Sequence, residues 1–169
     1  AATGEQRYRD YARRIVDSGC SLKHNIFEAA RRHIPPAEIG NGKAYEMLSC
    51  FQGLSEFHLM DPQEEYLETV TEFFRMVKEQ EIFITGGGGL KDVVGEYWYY
   101  GAMRQTRDDS GNHGETCVTA TWLHYCDRIL KLTGSANAAD CMERSFYNAM
   151  LGSMKPDGSW YIHANPSPL

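Results

Sequence analysis

The sequence predicts an all-α chain built as an array of helical hairpins, and three observations lead there. Five stretches carry apolar residues at helical spacing, strand signals are confined to two short runs, and one loop-then-helix design recurs three times. Residues 5–17 form a short basic candidate helix. Residues 43–59 place Ala44, Met47, Leu48, Phe51, Leu54 and Leu59 in register, and residues 62–80 do the same with Tyr66, Val70, Phe73, Phe74 and Val77. From 117 to 132 apolar residues line two sides of a helix, which predicts deep burial: Val118, Trp122, Tyr125, Ile129 and Leu132 on one, Ala120, Leu123, Cys126 and Leu130 on the other. Residues 136–152 carry a stripe of Ala139, Met142, Phe146, Ala149 and Met150. The strand candidates are "EIFIT" (81–85) and "SWYIH" (159–163).

The recurring design appears in "ATGEQRYRDYARRI", "LMDPQEEYLETVTEFF" and "LTGSANAADCMERSFYN". Repeats of this length point to a solenoid or a closed α/α toroid, with a simple bundle as the plainer alternative. The first copy starts at its loop and the chain stops at the proline-rich "NPSPL". Residues 1–169 are therefore read as a single helical domain that is a fragment of a larger one. Helices without their partners leave apolar faces open, so association into a homo-oligomer is expected.

Composition bounds the function. With 23 acidic and 17 basic residues the net charge is -6, which gives no footprint for nucleic acid or for an anionic membrane surface. No run of about 18 apolar residues is present to span a bilayer. The five cysteines are odd in number, widely spaced and without a CxxC pair, which predicts a reduced or mixed state rather than a disulfide framework. Cys126 and Cys141 fall in helix-core registers.

Two motifs carry chemistry. In "ITGGGGLKDVVGEYWYYG" (84–101) four glycines follow an apolar run, but the Lys-Ser/Thr of a phosphate-binding loop is missing. Glu96 follows closely, beside Tyr97, Trp98, Tyr99 and Tyr100. Aromatic faces stack on sugars, and a carboxyl among rings can serve as a general acid; the alternative is core aromatics beside a solvated loop acid. In "NHGETC" (112–117) Glu115 and Cys117 stand at a predicted helix start, where the positive end of the dipole favours carboxylate and thiolate. They make half of a zinc site to which His113 can add, or else a dipole-complementing acid and a buried thiol. The other histidines, His163 among them, form no spaced motif.

Taken together, "ITGGGG", "GEYW", "ETC", "RILKLTGSANAADCMERSFYNAMLGSM" and "NPSPL" resemble the bacterial β-L-arabinofuranosidase family of glycoside hydrolases, from about Ala44 to Leu169. The resemblance implies an (α/α)6 toroid followed by β-sandwich domains. It also implies a retaining mechanism with a zinc-bound cysteine thiolate as nucleophile and a glutamate as acid/base. Glu96 then matches the acid/base, while Glu115 and Cys117 match two zinc ligands. Trp98, Tyr99, His113 and, on the inner face of the toroid, Tyr45 become candidate contacts to a carbohydrate substrate from plant-derived glycans. The nucleophile and the last ligand would be adjacent cysteines beyond "NPSPL", so the 169 residues alone are expected to be inactive and to hold zinc weakly or not at all. The competing class is a non-hydrolytic α/α toroid, either a carbohydrate-binding module or an epimerase-like relative.

Overall fold

The computed structural model describes residues 3–91, 94–104 and 112–166. Its helices are α1 (Gln6–Asp17), α2 (Ile26–Arg31), α3 (Ala44–Met60), α4 (Glu64–Gln80), α5 (Thr116–Thr133) and α6 (Ala136–Arg144), which runs on through a π-helical turn at Ser145–Met150. Two minimal antiparallel pairs accompany them: β1 (Leu90–Lys91) with β2 (Val94–Gly95), and β3 (Asn112–Glu115) with β4 (Ala164–Pro166). The architecture is the all-α array of hairpins that the periodicity predicts. Among the described residues no helix is long and apolar enough to cross a membrane.

The hairpins α3–α4 and α5–α6 form because their helices carry apolar faces and are joined by short polar connections, residues 61–63 and 134–135. Helix α4 opens with Glu64 and Glu65 at the positive end of its dipole and buries Val70, Phe73, Phe74 and Val77 as expected. Helix α5 ends at Gly134, whose N–H still reaches the Leu130 carbonyl at 2.8 Å and whose left-handed backbone (φ 67°) turns the chain out of the helix. Helix α3 packs against both α4 and α5, and α6 packs against α5. Aromatic rings fill the seam. Phe51 stacks on Phe73 with centroids 3.6 Å apart, Phe74 stacks on Trp122 at 5.2 Å, and the Tyr125 hydroxyl donates to the Val70 carbonyl at 2.6 Å. Each such side chain, fully buried, contributes about 1.5–3 kcal/mol.

Several expectations change. Helix α6 and its π-helical turn bury Ala138, Cys141, Ser145 and Ala149, a face that shares only Ala149 with the stripe read from the sequence. Phe146 is left exposed, as is Leu59 on α3. Helix α1 has no buried residue, and Tyr8, Tyr11 and Ile15 are exposed on it; Arg13 ties it to Asp61 beyond α3 at 2.6 Å. "SWYIH" contributes an isolated bridge from Tyr161 to Met154, and the strand begins only at Ala164.

"EIFIT" is a turn rather than a strand. Ile82 bonds back to the Val77 carbonyl and Gly86 to the Phe83 carbonyl, so the run unwinds from α4 into the core. It carries Glu81 inward, where one carboxylate oxygen accepts the N–H groups of Tyr99 at 2.9 Å and Gly101 at 3.2 Å and the other has no partner. Burial raises this carboxyl to about 7, against the opposing pull of those backbone donors. The folded value lies above the unfolded one, so the contribution to stability is complete below about pH 4.5 and is lost as pH rises through about 7. Between about pH 5 and pH 8 the loss is about 2–3 kcal/mol. Chemical denaturation at those two pH values is expected to show that difference in the parent chain and not in Glu81→Gln; an equal slope in both would assign the dependence elsewhere.

Candidate functional site

Four glycines hold the site together. Gly86 and Gly89 have positive φ (86° and 79°), and a side chain on either would collide: a Cβ at Gly86 would lie 2.5 Å from the Ser145 Cα, and one at Gly89 would lie 2.5 Å from a Val118 methyl. The run therefore threads between α5 and the π-helical turn of α6, where only glycine fits. All four carbonyls are engaged. Gly86 accepts from the Ser145 hydroxyl, Gly87 from Phe83 N–H, Gly88 from Glu115 N–H at 3.0 Å and Gly89 from Tyr97 N–H at 3.0 Å. A loop that turns carbonyls on its neighbours is no phosphate cradle. It fixes the segment carrying Glu96 against the segment carrying Glu115.

Glu96 adopts a left-handed backbone (φ 72°), and its carbonyl accepts from Ala44 N–H at 2.6 Å, at the start of α3. One carboxylate oxygen pairs with the Lys43 ammonium, whose pKa that contact raises. The other oxygen accepts from the Cys117 thiol at 3.8 Å. The Tyr97 ring lies 5.1 Å from the Lys43 nitrogen.

Glu115 stands at the N-cap position of α5, yet its side chain makes no capping bond. The carboxylate is instead buried at 2% exposure in room left by Gly95, where a Cβ would come within 2.8 Å of it. One oxygen contacts His163 Nε2 and the other has no partner. His163 arrives on the segment leading into β4, which Thr116 secures by donating its N–H to the His163 carbonyl at 2.7 Å and its hydroxyl to the Ile162 carbonyl. Ligand atoms of Glu115, Cys117 and His163 all lie within 4.8 Å of one another. Burial pushes the Cys117 thiol up to about 12, with the Glu115 and Glu96 carboxylates adding to it, and burial raises the Glu115 carboxyl too. An orphaned buried oxygen, a thiol and an imidazole around one point suit a cation with a preference for sulfur and nitrogen ligands.

The structure thus brings Glu96, Glu115 and Cys117 together and adds His163, an isolated histidine that no local spacing marks. It does not present Trp98 or Tyr99 to a ligand. Trp98 is 2% exposed within the core and Tyr99 is 7% exposed against Phe83, so neither ring has a free face for a sugar. Lys43 and Tyr97 are the groups found beside Glu96 instead. Tyr45, on the first turn of α3, is 42% exposed. The backbone of His113 lies in β3, and its side chain falls outside the described residues.

Comparison with known proteins gives the same direction. The family described as "Beta-L-arabinofuranosidase, GH127 catalytic domain" matches residues 1–168. The non-reducing end β-L-arabinofuranosidase of Bifidobacterium longum subsp. longum is 20% identical over 96% of this chain, and the chain spans 28% of that enzyme's length. Two solved structures share the fold. A GH127 β-L-arabinofuranosidase from Geobacillus stearothermophilus T6 superimposes with a TM-score of 0.71 at 19% identity, over 98% of this chain and 28% of that one. Another GH127 β-arabinofuranosidase gives 0.72 at 22% identity, over 98% and 26%. Matched along nearly its whole length, the chain belongs to the GH127 β-L-arabinofuranosidase catalytic-domain family.

Proposed function

We propose that this chain supplies the acid/base and part of the metal centre of a retaining glycoside hydrolase that removes arabinofuranosyl or related sugars from plant-derived glycans. The observation that carries the reading is the meeting of Glu96 with Cys117, beside the buried Glu115. Glu115, Cys117 and His163 would hold zinc, which when bound supplies the positive charge that keeps cysteine sulfur ionised near neutral pH.

The remaining chemistry belongs to the chain's own groups. Lys43 fixes one oxygen of Glu96 and leaves the other toward Cys117, on the side of the proposed centre. From there Glu96 gives a proton to the departing glycosidic oxygen and later takes one from water, the double role that retention requires. The nucleophile lies outside these residues, in the cysteine pair that the resemblance puts beyond Leu169. The relatives described above are β-arabinofuranosidases, which favours this reading over a non-hydrolytic module.

Zinc content and cleavage of an aryl β-L-arabinofuranoside, measured on this chain and on a form extended past Leu169, test the proposal. The extended form is expected to hold about one zinc per chain and to be active; the 169 residues should hold it more weakly and be inactive. Absence of both zinc and cleavage in the extended form would overturn the reading.

A further inference from the structure

A second cysteine pair lies away from this cluster, and nothing in the proposed hydrolysis uses it. Cys20 closes the turn after α1 and Cys50 lies in the middle of α3, 30 residues on, with their sulfurs 2.7 Å apart. The turn is tightly held: Cys20 N–H bonds to the Ile15 carbonyl at 3.0 Å, and the Ile26 N–H at the start of α2 bonds to the Gly19 carbonyl at 3.1 Å. Both thiols are half-buried. Two clefts meet at them. One, of about 440 Å³, is bordered by His24, Asn41, Lys43 and Glu46; the other, of about 410 Å³, runs between α1 and α3 past Ile15 and Phe57. Small solutes therefore reach the sulfurs from either side. The pair Cys126 and Cys141 differs in this respect, being sealed in the core at 0% and 1% exposure. The two half-buried thiols are also unequal. The hydrogen bond between the two sulfurs lowers the Cys20 thiol to about 7, while the same contact and burial raise that of Cys50.

We propose that Cys20 and Cys50 are an oxidative modification site that forms a disulfide by exchange with a small-molecule disulfide. Cys20 thiolate attacks one sulfur of the reagent, forming a mixed disulfide and expelling one thiolate. Cys50 then attacks the Cys20 sulfur, the second thiolate leaves, and the Cys50 proton passes to a departing thiolate. The proton that Cys20 released to solvent on ionising is taken up by the other departing thiolate, so the dithiol loses two hydrogens and the reagent becomes two thiols. The bond ties the α1 turn to α3, the helix whose first turn holds Glu96, and closes a loop that limits the unfolded chain. An isolated pair of this kind also accords with a cysteine count too irregular for a disulfide framework.

Oxidised glutathione is the probe. After native incubation, acid quenching, unfolding and alkylation, the expected product has three alkylated cysteines, a linked Cys20–Cys50 peptide and a raised thermal midpoint that dithiothreitol reverses. Cys50→Ser should stop at one glutathione adduct on Cys20 and show no rise. Five alkylated cysteines after oxidation, or a linkage joining any other two, would overturn the proposal. A linked peptide with an unchanged midpoint would overturn the tether while leaving the chemistry.

Discussion

Glu96→Gln, in the extended form, is expected to lower kcat by about 10²–10⁴ while zinc content and thermal midpoint stay unchanged. The amide keeps an oxygen for Lys43 and nearly the same volume, so the contacts of the carboxylate are largely preserved. What disappears is a group that can give and then recover a proton. The loss should be steeper for alkyl than for aryl arabinofuranosides, because a phenolate leaves with less help from an acid. KM should move little, since the proton shifts in the transition state rather than in the bound ground state. Retention of more than about a tenth of the activity on an alkyl substrate would remove Glu96 from the acid/base role.

The largest effect on folding is expected from Trp122→Ala, at about 3–5 kcal/mol of lost stability. The indole is fully buried, stacked on Phe74 and next to Tyr125, and its N–H has no hydrogen-bond partner. Truncation therefore sacrifices apolar contact and opens a cavity, without breaking a polar bond. Trp122→Phe fills most of that space and should cost less than about 1.5 kcal/mol. Urea denaturation of both variants decides the matter: a loss in Trp122→Phe as large as that in Trp122→Ala would show that a ring in this space does not restore the packing, and would overturn the cavity account. Because Trp122 anchors the helix whose first turn carries Cys117, the alanine variant should also bind zinc more weakly in the native baseline.

Much of this was readable from spacing, and the rest fails for identifiable reasons. Helices α1, α3, α4 and α5 lie within a residue or two of their predicted limits, because each runs long enough to show an apolar period. Helix α2, with six residues, is too short to show one. "EIFIT" has the composition of a strand, but Glu81 is drawn into the core by backbone donors that come 18 and 20 residues later. The same non-locality hides His163: the pairing of β3 with β4 and the Thr116 bonds to the Ile162 and His163 carbonyls bring it to Glu115. Glu96, Glu115 and Cys117 were legible because their motifs are local. Trp98 and Tyr99 share a motif with Glu96 but not a direction, since Trp98 N–H bonds to the Gly42 carbonyl and the ring follows the chain inward.

Position 96 sets two demands against each other. A left-handed backbone costs an ordinary residue about 1–2 kcal/mol that glycine avoids and asparagine partly avoids. Optimising this chain for robustness alone would therefore exchange Glu96 for one of those two and erase the proposed proton donor in the act. The orphaned oxygen of Glu115 invites a similar repair. Any redesign for storage or heat tolerance should leave Lys43, Gly95, Glu96, Glu115 and Cys117 untouched and look for its gains on the outward faces of α1 and α6.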